Sequence, residues 1–353
     1  MKLRSHLKIC LLSHVFLIHT QQGTSLAGTA SDTNDLSTKQ DGSDWKNSMK
    51  IRIIILCLFL SSFSNFSYSQ KISKFHQLYQ RGDDYKKSSS FNLAEKTYLQ
   101  ALTIYSGNPD LYIDLISVLL HQQKNNEAEK YLKSGILKGA NIDKLLNDSA
   151  INKKFKESTS WAKIYDIYRK EYNSSIPFQE ERLKLVTLLQ KDQDVRNLME
   201  YFPELKRDSI VHSSDIENSE QVYAIVKKIG FPDRDKVGED GAVAMYILLS
   251  HLLNDGLKDK DDLEYFEPLI KISVLKGTFE PFWMANLVDR NQVIRGLKQI
   301  YGSYWEYDSK SGKRIITPVE QIENVDQKRA EIGLAPLKTV QALGLVLPSN
   351  YKN

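Results

Sequence analysis

From Phe75 to Trp161, apolar residues return every three to four positions, the spacing that turns one helical face toward a core. Beyond Pro177 the same period continues, cut into segments by breaker residues. A helix predicted from about Phe178 to Tyr201 ends before Pro203. Asn218, with Gln221 three residues on, reads as a capping box opening a helix that Gly230 stops ahead of Phe231 and Pro232. Another is predicted from about Glu239 to Leu253, with Gly256 as its stop, and Pro281 sits where a first-turn proline belongs in the helix carrying Ala285 and Leu287. After Gly302 the period changes. Tyr304 to Tyr307 and Arg314 to Thr317 alternate or run β-branched around Asp308 to Gly312, which predicts a short hairpin, a flap rather than a sheet core. The expected class is mainly α: a short helical array, then a second helical domain with a small β-hairpin.

The first 69 residues follow a different pattern. Met49, Lys50, Ile51 and Arg52 precede the apolar run Ile53 to Leu60, and a Ser-rich and Phe-rich stretch leads to Ser67, Tyr68, Ser69 and Gln70. A basic start, a greasy centre and small residues three and one before a break are the parts of a secretory leader, with cleavage expected after Ser69. Crossing a bilayer takes about 20 apolar residues, and the serines from Ser61 onward interrupt this run, so no stable span is expected after cleavage. Lys2, Arg4 and Lys8 before Ile9 to Ile18 imitate a weaker leader, which makes Met49 the expected initiator. The expected division is a presequence over 1–69, a repeat domain over 70–172, a helical domain over 173–345 and a tail over 346–353.

Within the array, Gly82, Tyr85, Ala94, Tyr98 and Ala101 resemble the tetratricopeptide repeat, in which small residues let paired helices approach and aromatic rings fill the gap. Ala94, Glu95, Lys96 recurs as Ala128, Glu129, Lys130, an offset of 34 residues, which is that family's period. At the same offset Tyr98 becomes Leu132 and Ala101 becomes Gly135, while Gly82 becomes Ile116, so the second copy diverges. Asp143 to Tyr172 is expected to supply a third, capping layer, since about three repeats make a stable stack. The resemblance implies a groove for a protein or peptide; a spacer that only packs on the next domain is the other reading.

Charge and cysteine placement narrow the classes. Of 48 basic and 44 acidic residues, seven and four precede Gln70, leaving 41 against 40. So even a balance supplies no dense basic face, and nucleic acid is not an expected partner. Cys10 and Cys57 both lie in the leader, so the body has no thiol. That suits an oxidising compartment, periplasmic or secreted, and excludes cysteine nucleophiles and cysteine metal sites. His76, His121, His212 and His251 are widely separated. No metal and no cofactor is expected.

In the second domain Asp192, Gln193, Arg196; Ile229, Gly230, Phe231, Pro232; Val237, Gly238; His251; Asp289, Arg290; and Gly296, Gln299, Tyr301, Gly302 follow one another. The order resembles an uncharacterised bacterial domain-of-unknown-function family with a DQ-x-x-R helix, a GFP turn, a helix ending in Gln-His, a DR pair and a G-x-x-Q-x-YG segment. The likeness spans roughly Pro177 to Lys338 and implies no established reaction. Ser250 stands where that family has Gln, and Ser303 and Tyr304 replace its Thr and Gln.

The residues themselves permit the following chemistry. His251 lies near a predicted helix carboxyl end, where the dipole favours the imidazolium. Asp289 is the expected orienter of that ring, and the planar fork of Arg290 suits a carboxylate or phosphate. Gln299 and Tyr301 add an amide and a phenol to orient a ligand, against the reading of an internal network holding the flap. Asp192 and Arg196, four apart, are expected to pair on one helix face. The expectation is an exported binding protein whose array engages a protein or peptide and whose second domain holds a small polar or anionic ligand. A hydrolase-like enzyme with His251 as base and Asp289 as orienter, and an inert envelope scaffold, are the alternatives.

Overall fold

The computed structural model describes residues 70–198, 204–253 and 261–352. The expected leader, both cysteines, Pro203 and Gly256 lie outside the described residues. Among those described, no helix is long and apolar enough to cross a membrane.

The leading half is a succession of short helices. α1 (residues 70–87) pairs with α2 (Phe91–Ile104), and α3 (Pro109–His121) pairs with α4 (Asn125–Ile136). The two hairpins place the same residue kinds at the same depth: Ala94, Tyr98 and Ala101 are buried in one, Ala128, Leu132 and Gly135 in the other. A Cβ at Gly82 would lie 2.3 Å from the Tyr98 ring, so the close approach of α1 and α2 requires glycine there. This half is consistent with helical repeats. The third layer has three helices, α5 (Ile142–Asn147), α6 (Ser149–Glu157) and α7 (Thr159–Ser175). Asp148 separates α5 from α6 because its carboxylate accepts from the Ala150 and Ile151 N–H groups, capping the second helix as the first ends. Trp161 on α7 is buried in the array's core.

The second half is built around one helix. α8 (Gln179–Leu198), α9 (Glu204–Ile229), α11 (Asp261–Leu275) and α12 (Pro281–Ile294) accompany α10 (Arg234–Leu252). α10 is apolar nearly all round, Ala242 to Leu249 being largely buried, which is the pattern of a helix covered on every side. Its first turn is separated from the rest at Gly238, whose φ of 71° only glycine adopts without strain. α9 corrects one expectation, because it runs without a break through Asn218, where a helix start was predicted. Its buried face carries Asp215 and Asn218 ahead of Val222, Ile225 and Val226, so polar residues continue the core-facing stripe and hide the period.

The carboxy-terminal segment also departs from expectation. β1 (Trp305–Asp308) and β2 (Lys313–Ile316) form the antiparallel hairpin, with Trp305 opposite Ile316. β3 (Leu345–Val346) then adds parallel to β2, and α13 (Val325–Glu331) lies between them in sequence. Ile316, Val319, Val325, Leu337, Val340 and Leu345 form a small core of their own, so the hairpin is anchored and is not a flap. The expected tail is tied down as well, since the Tyr351 hydroxyl donates to Asp326 at 2.7 Å.

Array and second domain meet along a charged seam. The buried Arg234 guanidinium donates to Glu239 at 2.5 Å, to Glu280 at 2.9 Å and to the Gly277 carbonyl at 3.3 Å. Lys144 of the array reaches Glu239 at 3.4 Å and Asp110 at 2.8 Å. The Tyr105 hydroxyl donates to the Gly277 carbonyl, and the Glu239 N–H donates to the Tyr172 hydroxyl at 2.8 Å. Burial alone would push the Glu239 carboxyl up, but Arg234 and Lys144 outweigh it and hold the group ionised.

Candidate functional site

Four helices bring together residues that lie far apart in sequence. α8 carries Asp192 and Arg196 one turn apart, α9 carries Asp215, α10 carries His251 and α12 carries Arg290. Arg196 is the hub. Its Nη2 donates to Asp215 at 2.7 Å and lies 3.2 Å from Asp192, and its Nε lies 3.3 Å from Asp192 and 3.1 Å from His251 Nδ1. Asp192 is 1% exposed and Asp215 3%, and that guanidinium offsets the cost of burying both carboxylates. Gln193 donates a further hydrogen bond to Asp192 at 2.7 Å.

The His251 ring is oriented by Asp192, not by Asp289. Nδ1 lies 3.0 Å from the Asp192 carboxylate. A hydrogen on Nδ1 donates to that carboxylate, whereas a lone pair there would face an anionic oxygen at close range. Arg196 Nε keeps an acceptor in either case, because Asp192 also lies within its reach. The network therefore assigns the hydrogen to Nδ1 and leaves Nε2 as the basic nitrogen. Both contacts that described residues make to the ring fall on Nδ1.

The direction of the His251 pKa corrects another expectation. The helix carboxyl end was expected to favour the imidazolium, yet the ring is held below its ordinary 6.5. Burial is the largest cause; the charges of Arg196 and Arg290 add to it and together outweigh the pull of Asp192. Asp192 moves the other way from what burial alone would do: its bond to His251 and the nearby positive charges keep it below the ordinary carboxyl value.

Asp289 has a different task. It is fully buried, and its carboxylate accepts from the N–H groups of Ile300 at 2.7 Å, Tyr301 at 2.9 Å and Ser303 at 2.7 Å, and from the Ser303 hydroxyl at 2.7 Å. Asp289 thus pins the segment after α12 from beneath. Adjacent residues on a helix point about 100° apart, and α12 continues past both to Ile294, so Asp289 faces this segment while the Arg290 charge acts on His251. Gln299 is also fully buried; its amide donates to Tyr304 and Thr317 and accepts from the Tyr304 N–H at 2.8 Å. Tyr301 is buried beside it. These three therefore belong to an internal network, the second of the two readings that the sequence allowed for Gln299 and Tyr301. Ser303 keeps the hydroxyl that a threonine would bring to Asp289, and Ser250 turns its own back onto the Ile247 carbonyl at 2.8 Å.

Asp215 escaped sequence reading. Its only trace was the spacing of Asp215, Asn218 and Val222 at three and then four residues, which marks one helix face. Asp192, Asp215 and His251 bring ligand-type atoms within 4.8 Å of one another. Arg196 already bonds to both carboxylates and lies 3.1 Å from the ring, so the arrangement is an arginine-centred ion cluster, and a cation in that space would have to displace the guanidinium. A surface depression of about 490 Å³ lies elsewhere, along α7 and the start of α8, lined by Tyr165, Asp166, Arg169, Lys170, Asn173, Ser174 and Gln179.

Comparison with known families places these helices. Residues 183–345 match the model of a family of unknown function (DUF6624). No repeat family is found for the leading helices. Neither the curated proteins nor the solved structures contain a match.

Proposed function

We propose that this is an exported binding protein whose second domain holds a small polar or anionic ligand at His251 and Arg290. The single observation carrying the reading is the His251 ring, fixed at Nδ1 by a buried carboxylate from another helix while Asp192, Arg196 and Asp215 compensate one another beneath it. Such an arrangement holds one ring nitrogen in place and leaves the other for a ligand. The leading array serves as the surface for a protein or peptide. Its helical pairing supports that role, and the seam fixes it to the second domain.

The reading is tested by thermal shift of the mature chain against small carboxylates, phosphates, amines and sugars, repeated with His251→Ala and Arg290→Ala. A ligand response present in the parent and lost in both folded variants is the expected result. Responses that survive in both overturn it. Export is tested separately by sequencing the amino terminus of the natural product, with Gln70 as the expected first residue.

A hydrolase-like enzyme is the second reading, and one observation favours it. A neutral imidazole whose Nδ1–H is held by a carboxylate has the form of a general base, here with Asp192 as orienter in place of Asp289.

A further inference from the structure

We propose that the depression along α7 and the start of α8 is a ligand site in its own right: it takes a hydroxyl-bearing, sugar-sized anion, whose carboxylate or phosphoryl group is held by the Asn173 amide and the Lys170 ammonium. The site lies apart from His251 and does not rest on the reading given for that ring.

One face of α7 makes the wall. Tyr165, Arg169 and Asn173 follow one another at intervals of four residues and are half-buried, while Asp166, Lys170 and Ser174 form an exposed row beside them. Gln179, the first residue of α8, closes the end. At about 490 Å³ the space falls within the usual range for small-molecule sites, about 300 to 1,000 Å³.

Preorganisation is the first argument. Arg182 donates from Nε and Nη2 to the two oxygens of Asp240 at 2.9 and 2.6 Å, a fork that fixes the guanidinium. The same Nη2 donates to Asn173 Oδ1 at 3.1 Å, and Nη1 to Gln179 Oε1 at 3.4 Å. A guanidinium only donates, so it decides which way the Asn173 amide turns. The oxygen faces Arg182, and the amide N–H groups are left for the depression. Among the described residues nothing accepts from them, and Lys170 makes no ion pair.

Charge is the second. Arg169, Lys170 and Arg182 stand against Asp166 and Asp240, an excess of one positive charge. Arg169 acts through that charge alone, since its guanidinium is occupied by the Gly139 carbonyl at 3.4 Å and by Asp240 at 3.7 Å. The carboxyl end of α7 and the amino end of α8 meet here with opposite partial charges, so the side chains set the sign. Asp166 lies seven residues before Asn173, about 10 Å along the helix. It repels a second anionic group at that end and accepts from hydroxyls there, which gives the ligand its two unlike ends.

The test is calorimetric titration of the mature protein at low ionic strength with glucuronate, with glucose 6-phosphate and with glucose. At least one of the two anions is expected to bind about tenfold or more tightly than glucose and to weaken as salt is added. The tighter arm tells whether carboxylate or phosphoryl is preferred. Asn173→Asp keeps an oxygen for Arg182 and turns the other toward the depression, so the folded variant is expected to lose about tenfold or more in affinity for the anion. Lys170→Gln, at an exposed position, is expected to bind more weakly and with less dependence on salt. His251→Ala is expected to bind as the parent does. Binding of neither anion, glucose binding as tightly as both, or anion binding left unchanged by Lys170→Gln or by folded Asn173→Asp overturns the site. Loss of binding in folded His251→Ala with Asn173→Asp unaffected also overturns it, and moves the anion to the His251 ring.

Discussion

His251 Nδ1 lies 3.0 Å from the Asp192 carboxylate, although 59 residues separate them in the chain. The pair ties the end of α10 to the middle of α8. Replacing Asp192→Asn removes a carboxylate that raises the proton affinity of that ring, while burial and both guanidiniums remain. The ring is expected to titrate still lower than in the parent, by NMR of the histidine Cε1–H. Stability should fall by about 3 kcal/mol in urea, because Asp215 alone then faces Arg196 in a buried place.

Asp289→Asn is expected to cost about 3 kcal/mol while leaving the His251 titration unchanged. An amide nitrogen would have to face either the Ile300 and Tyr301 N–H groups or the Ser303 donors, placing donor against donor. Denaturant midpoints check the first part and NMR the second. A moved His251 titration would restore Asp289 to the ring's surroundings.

His76 makes stability depend on pH. It is half-buried, and that burial holds its pKa below 6.5 despite the opposing charge of Glu280. The unfolded chain therefore takes up this proton first, so the contribution is present above about pH 6.5 and is lost as the pH falls toward the folded value. Urea midpoints of the parent and His76→Gln should show the parent losing ground to the variant between pH 7 and pH 5. A constant difference would refute the assignment.

Arg234→Met leaves Glu239 buried with only the more distant Lys144 as a partner. A loss of about 3 to 5 kcal/mol is expected. Lys144→Met should cost much less, because Lys144 is about one-third exposed and its bond to Glu239 is long. In the parent, fluorescence of Trp161 in the array and of Trp283 in the second domain should report one shared transition; in Arg234→Met the two are expected to separate.

What the sequence revealed depended on whether a residue's surroundings were local. The Ala94, Tyr98 and Ala101 pattern was legible because helix pairing depends on spacing within a few turns, and the same holds for the Asp192 and Arg196 pair. The partner of His251 was not legible. Sequence proximity to Arg290 drew attention to Asp289, yet only the packing of α12 on the segment after it decides where that carboxylate points. Asp215 was hidden for a related reason: a polar residue on a core-facing stripe reads as an interruption until the arginine that compensates it is found on another helix. The pKa direction at His251 likewise needed burial, which no single helix reveals, to overrule the dipole.

Gly238 has the last consequence. A Cβ there would lie 2.6 Å from Ile176 and 2.9 Å from the Tyr172 hydroxyl, and one at Gly139 would lie 2.8 Å from both Glu239 and Tyr172. Two glycines, one from each half, thus clear the room in which a tyrosine from the array meets the bent start of α10. Anyone grafting the second domain onto a foreign helical stalk would have to transplant this tyrosine and its pair of glycines along with it, or redesign the joint from scratch.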